Sequence, residues 1–185
     1  LNFETKGWLA MKISTLFLFL LLSAPFAYGA ISPKVSHPIP GAILHTAGAI
    51  HGGEAREIVS LLNVKRLVSK NKKIERIEFA VGNAGQLPLQ GKPGYFNLEL
   101  RPGKKQIVIG FAQTLNARFE ERDLRKIFMA SPYVKSSQMY FEPQTQSMNF
   151  ILNLSKPASV RAIPVMGEKK QTARVIVDLF EEKIR

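Results

Sequence analysis

The sequence reads as a mainly β protein, a sandwich of two similar, roughly four-stranded sheets with one connecting α-helix over residues 117–130. Three observations predict this. Apolar and polar residues alternate in short runs through most of residues 58–180, turns containing Gly or Pro separate those runs, and only one stretch has helical periodicity. The clearest run is Arg174-Val175-Ile176-Val177-Asp178-Leu179-Phe180. Ala173, Val175, Val177 and Leu179 share one wholly apolar face, which should be buried. Arg174, Ile176, Asp178 and Phe180 share the other, where two hydrophobes and an opposite-charge pair suit a half-covered strand better than an exposed edge.

Taken in order, the 185 residues divide into four parts. Residues 1–10 precede Met11 and read as an upstream extension. Residues 11–29 read as a secretory signal peptide: Lys12 is positive, residues 16–22 are an unbroken apolar run, and Ala27-Tyr28-Gly29 offers small residues for cleavage before Ala30. That run is too short for a bilayer span, which needs roughly 20 apolar residues. The expected address is the periplasm or cell envelope, with no stable membrane span after signal cleavage. Residues 30–55, with Pro33, Pro38, Pro40, Gly41, Gly48, Gly52 and Gly53, have the composition of a flexible linker. Residues 56–182 make the folded domain.

Within the domain, residues 58–68 read as a strand, although residues 54–62 suit a short helix equally. Residues 74–81 place Ile77, Phe79 and Val81 on one face and Arg76, Glu78 and Ala80 on the other. After a Gly/Pro-rich loop, Phe96, Leu98 and Leu100 alternate with Asn97 and Glu99, and Arg101-Pro102-Gly103-Lys104 turns the chain into residues 106–111 as a hairpin. Residues 116–129 carry the helical signal, with Leu124, Ile127 and Phe128 at i, i+3 and i+4. Glu120, Glu121 and Asp123 near its start and Arg125 and Lys126 near its end complement the helix dipole. Ser131-Pro132 stops it. Strands resume at residues 133–141, 147–154, 160–165 and 174–180.

The two halves of the domain are similar. Val64-Lys65 and the strand through Phe79 match Val134-Lys135 and the strand through Leu154, and the hairpin 95–111 matches 160–180. Each half would form one four-stranded sheet whose apolar face the other half covers. Signal peptide, linker, duplicated strands, intervening helix and the closing Arg174-Val175-Ile176-Val177-Asp178-Leu179 together resemble the AMIN domain. That domain is the non-catalytic N-terminal module of periplasmic N-acetylmuramoyl-alanine amidases and of type IV pilus secretins. The resemblance covers about residues 58–180 and implies a two-sheet sandwich that holds envelope proteins at peptidoglycan. The first half departs from it, because Gln106-Ile107-Val108-Ile109-Gly110-Phe111 lacks both the arginine and the aspartate.

Lys+Arg 26 against Asp+Glu 14 gives a net charge of +12, which favours anionic partners. The absence of cysteine excludes disulfides, thiolate metal sites and a cysteine nucleophile. His51-Gly52-Gly53 resembles the first zinc-ligand motif of the amidase catalytic domain, but no histidine follows it, and the spacing of His37, His45 and His51 matches no zinc site. No nucleophile elbow, phosphate loop or catalytic carboxylate pair is present, so neither enzyme activity, metal nor cofactor is expected.

The basic stretch Lys65, Arg66, Lys70, Lys72, Lys73 and Arg76 contains one acid, Glu75, and folded as a hairpin it would gather cations at a solvated tip. Lys70, Lys72, Lys73 and Arg76 are therefore the first binding candidates. Lys135, Arg161 and Arg174 follow if a sheet face binds instead. Nucleic acid is not the expected ligand, since no stacking aromatics interleave with these cations. The expected function is a non-catalytic module attaching to peptidoglycan or a similar anionic wall polymer. The alternative is a protein-interaction subunit of a periplasmic, secretion or pilus assembly.

Overall fold

The computed structural model describes residues 42–55 and 58–181. The upstream extension, the leader and the first part of the expected linker, with His37, lie outside the described residues. The strands are β1 (Ile43–Leu44), β2 (Gly48–Gly52), β3 (Val59–Val68), β4 (Ile74–Asn83), β5 (Phe96–Arg101) and β6 (Gln106–Phe111). They continue as β7 (Thr114–Ala117), then the helix α1 (Glu121–Phe128), then β8 (Val134–Glu142), β9 (Ser147–Leu154), β10 (Ser159–Val165) and β11 (Arg174–Phe180). Two sheets form, β1-β10-β11-β4-β3-β7 and β2-β5-β6-β9-β8, antiparallel throughout except where β7 runs parallel to β3.

The predicted alternation sets the inner faces. Ile77, Phe79 and Val81 of β4 and Val175, Val177 and Leu179 of β11 are fully buried, as are Leu98, Ile107, Ile109, Phe150 and Leu152 of the opposing sheet, all within one core. Phe79 meets Phe111 and Phe150 at ring-centroid distances of 5.1 and 5.0 Å, so aromatic contacts join the sheets at their middle. The strand expected to be half-covered, β11, is an interior strand between β10 and β4. No helix among the described residues is long and apolar enough to cross a membrane.

The two halves are not the two sheets. Hairpin β3–β4 of the first half pairs through β4 with β11 of the second, and hairpin β5–β6 pairs through β6 with β9. Each sheet therefore takes one hairpin from each half. Alternation decides which face of a hairpin is buried, but either sheet buries that face equally, so the pattern carries no information about which sheet a hairpin joins.

Exchanging β3 with β8, β4 with β9, β5 with β10, β6 with β11 and β2 with β1 converts one strand order into the other. The correspondence extends to a bulge, since the β3–β4 register slips between Leu61 and Asn63 and the β8–β9 register between Val134 and Ser136. Leu61, rather than Val64, is thus the structural counterpart of Val134. Among the described residues, β7 has no strand as its counterpart; α1 instead lies against β8.

Two boundaries differ from expectation. Residues 43–52, expected within the flexible linker, supply the edge strands β1 and β2. Gly48 and Gly52 break the alternation there, and edge strands this short need little apolar sequence. The helix begins at Glu121 rather than near residue 117, because residues 114–117 form β7. The Asp123 carboxylate accepts the Glu120 N–H at 3.1 Å, which caps the helix one turn later than its periodicity suggests.

Candidate functional site

The β3–β4 hairpin turns through residues 69–73, and its tip is a built turn. Ser69 N–H donates to the Ile74 carbonyl at 2.9 Å, and Asn71 Oδ1 accepts from the Ser69 hydroxyl at 2.7 Å and from Lys73 N–H at 3.0 Å. Lys72 takes a left-handed φ of 54°, and Tyr133 donates its hydroxyl to the Lys73 carbonyl at 2.7 Å, tying the tip to the start of β8. Lys70, Lys72 and Lys73 are all exposed on this turn, and none of them makes an ion pair with another described residue.

The two arginines of the basic stretch are committed, whereas Lys65 is exposed and makes no ion pair with another described residue. Arg66 donates to the fully buried Glu75 at 3.4 Å and to the Ala130 carbonyl at 3.0 Å, while the Ser131 hydroxyl donates to the other Glu75 oxygen at 2.6 Å. Glu75 therefore joins the hairpin to the loop after α1. Arg76 donates from Nε and Nη2 to the two oxygens of Asp178 at 2.8 and 3.0 Å, and Arg161 reaches Asp178 Oδ2 at 2.6 Å.

These two arginines flank Asp178 on the outer face of the six-stranded sheet, where β10, β11 and β4 align Arg161, Asp178 and Arg76 in one row. The arginine stems enclose the aspartate, which is 0% exposed. Burial alone would raise its carboxyl; the hydrogen bonds and charges of Arg76 and Arg161 outweigh that and hold it below the usual carboxylate range. The same bond to Asp178 raises Arg76.

Arg174 does not pair with Asp178 as its spacing suggested. Four residues along a strand separate their Cα atoms by about 13 Å. Its guanidinium instead crosses to Glu78 on β4 at 3.3 Å. Arg76, Arg161 and Arg174 thus share one sheet face, whereas Lys135 lies in the bulge of β8, exposed at the edge of the other sheet. The structure gathers the three tip lysines and, separately, the three arginines; Lys135 joins neither group. The Asp178 clamp was invisible in sequence because its partner Arg76 lies 102 residues away.

Two histidines from the expected linker have structural partners. His45 Nδ1 lies 2.9 Å from the Ser159 hydroxyl, and His51 Nδ1 lies 2.9 Å from the Tyr95 hydroxyl, with the His51 and Tyr95 rings stacked. Among the described residues, no group of three or more His, Cys, Asp or Glu side chains is placed to hold a metal ion. In comparisons with known proteins, no family model matches the chain and no curated protein matches it.

Proposed function

We propose that the domain is a non-catalytic cell-envelope binding module of the AMIN type, which attaches to peptidoglycan or a similar anionic wall polymer and localises itself or a partner there. The observation that carries this reading is the β3–β4 tip, where Lys70, Lys72 and Lys73 stand solvated on a hydrogen-bonded turn without a counter-charge among the described residues. The arginines of the sheet face are partly neutralised by Asp178 and Glu78, whereas the tip lysines make no ion pair with a described residue and are free to meet an external anion. The net charge of +12 supports the same sign of partner.

Attachment of this kind is a sum of screened contacts. Binding of the exported protein to purified sacculi, read by co-sedimentation, should weaken steeply as salt shortens the Debye length from ~10 Å at 0.1 M to ~3 Å at 1 M. Replacing Lys70, Lys72 and Lys73 together with Gln should reduce affinity about tenfold, equivalent to roughly 1.4 kcal/mol spread over three exposed charges. Urea midpoints should not move, because the tip carries no core side chain. Arg76 is left intact in this variant, since removing it would take the forked bond from Asp178 and leave it to Arg161 alone. Binding that ignores salt would refute the electrostatic mechanism, and no binding at any salt would favour the protein-interaction alternative.

Export is the companion expectation. Lys12, the apolar run 16–22 and Ala27-Tyr28-Gly29 should direct cleavage before Ala30. Mass spectrometry of envelope-fraction protein should find a mature N-terminus near Ala30, and a cytosolic protein retaining Met11 would contradict it.

A further inference from the structure

One end of the sandwich collects exposed lysines from both sheets. The β3–β4 turn of the six-stranded sheet carries Lys70, Lys72 and Lys73, and the β5–β6 turn of the five-stranded sheet carries Lys104 and Lys105. Hydrogen bonds link the two turns across that end. The Tyr133 hydroxyl donates to the Lys73 carbonyl at 2.7 Å, Ser155 N–H donates to the Tyr133 carbonyl at 2.8 Å, and Leu154 N–H donates to the Lys105 carbonyl at 2.7 Å. Packed sheets lie about 10 Å apart, so these lysines spread over a surface rather than along one row. Lys104 and Lys105 make no ion pair with another described residue, since Glu99 on the preceding strand is taken by Arg101 at 2.5 Å.

Backbone conformation does not account for lysine at these turns. Lys72 and Lys105 both take left-handed φ values, 54° and 49°, in a region that favours glycine. Among the described residues, three other non-glycine residues do the same, Gln86, Gln113 and Gln146. All three lie at the opposite end, where β3 begins and β4 finishes. Gln86 N–H donates to the carbonyl of Asn83, the last residue of β4, Gln113 accepts from Val59 N–H, and Gln146 accepts from Thr114 N–H. The fold thus fills the same uncommon conformation with a long neutral side chain at one end and a long cation at the other. Charge follows the end of the molecule and not the turn. The counterpart hairpin β8–β9 turns through Pro143-Gln144-Thr145-Gln146 without a cation.

The lysine end also exposes aliphatic side chains. Leu67 and Ile74, on the strands entering and leaving the β3–β4 turn, are 54% and 44% exposed. Met129, 81% exposed, follows α1 and adjoins Ala130, whose carbonyl accepts from Arg66. Lysines beside exposed aliphatic chains have the chemistry of a peripheral membrane contact. Ammonium groups meet lipid phosphates, while aliphatic chains enter the boundary between headgroups and acyl chains. Cations spread over the ends of two sheets fit a plane better than a single polymer strand.

We propose that this end of the sandwich is a docking surface for an anionic phospholipid bilayer. Lys70, Lys72, Lys73, Lys104 and Lys105 lie over the headgroups, and Leu67, Ile74 and Met129 reach their inner boundary. The contact shares the three tip lysines with the wall-attachment reading. It goes beyond that reading in the second lysine turn and in the aliphatic chains, which electrostatic attachment does not use.

The test is flotation of the exported protein with vesicles of phosphatidylglycerol and phosphatidylcholine in equal parts, against vesicles of phosphatidylcholine alone, at about 0.1 M salt. The protein should float with the anionic vesicles and stay behind with the neutral ones. Replacing Lys104 and Lys105 together with Gln should reduce partitioning by about tenfold or more, since each lysine near an anionic leaflet contributes about fivefold. Urea midpoints should not move, because the fold already accepts Gln at left-handed turn positions. Leu67→Ser with Met129→Ser should reduce vesicle partitioning about fivefold and leave binding to lipid-free sacculi unchanged. Tyr140→Ser, near the opposite end of β8, should change neither. Equal flotation with both vesicles, no flotation with either, or undiminished flotation of the folded lysine or aliphatic variants would overturn the proposal. Sacculi contain no lipid, so failure on vesicles leaves the wall-attachment reading standing, and failure on sacculi alone leaves this one.

Discussion

Val177→Asp should destabilise the domain by about 3 kcal/mol or more, a large part of the roughly 5–15 kcal/mol that holds a domain of this size folded. Val177 is 0% exposed on the inner face of β11, paired with Ala162 on one side and Ile77 on the other. It belongs to the core that contains Phe79, Phe111 and Phe150. An aspartate there would meet apolar neighbours, and Arg76 and Arg161 cannot rescue it because they project from the opposite face of the same sheet. The variant must bury an unpaired charge, take up a proton, or open the sandwich. Urea unfolding at neutral pH checks this, and a midpoint equal to that of the unmutated protein would mean that the faces of β11 are assigned the wrong way round.

Asp178→Asn should cost about 2 kcal/mol and should also remove part of the acid sensitivity of the fold. Breaking a buried ion pair by removing one partner typically costs about 3–5 kcal/mol. The lower figure reflects the 39% and 35% exposure of the Arg76 and Arg161 side chains, which lets water solvate part of the charge left behind. Asparagine preserves the size of the side chain but accepts through one oxygen only, so it cannot receive both the forked bond from Arg76 and the bond from Arg161.

The direction of the pH effect follows from the lowered carboxyl. Because the folded value lies below the unfolded one, Asp178 stabilises the fold fully above the unfolded value of about 3.9 and loses that contribution as pH falls through the folded value. The difference in stability between the two proteins should therefore be constant from about pH 5 to neutrality and close below about pH 4. A difference that persists unchanged in strong acid would show that Asp178 acts through shape rather than charge.

The two halves differ at a set of neighbouring positions rather than at one. Where the second half places Arg174 and Asp178, the first half has Gln106 and Gly110, a difference visible in sequence as a defect in the repeat. In three dimensions the flanking positions change with it. Asn97 and Asn149 face Gly110 just as Arg161 and Arg76 face Asp178, so substitution of the central residue coincides with substitution of both neighbours. A glycine between two arginines would leave two like charges facing across a gap, and an aspartate between two amides would lack its counter-charge.

Sequence alone determined the class of fold, the buried faces of β4, β5 and β11 and the charged tip of the β3–β4 hairpin. Each of these follows from local rules: a period of two marks a half-buried strand, and a turn rich in lysine is solvated wherever its hairpin lies. Tertiary structure alone decided which hairpins share a sheet, that residues 43–52 supply edge strands, and which acid each arginine meets. The physical reason is common to all three. A strand's apolar face is satisfied in either sheet, a short edge strand needs only backbone partners, and an arginine's partner lies across the sheet, up to 102 residues away, where sequence spacing carries no trace of it.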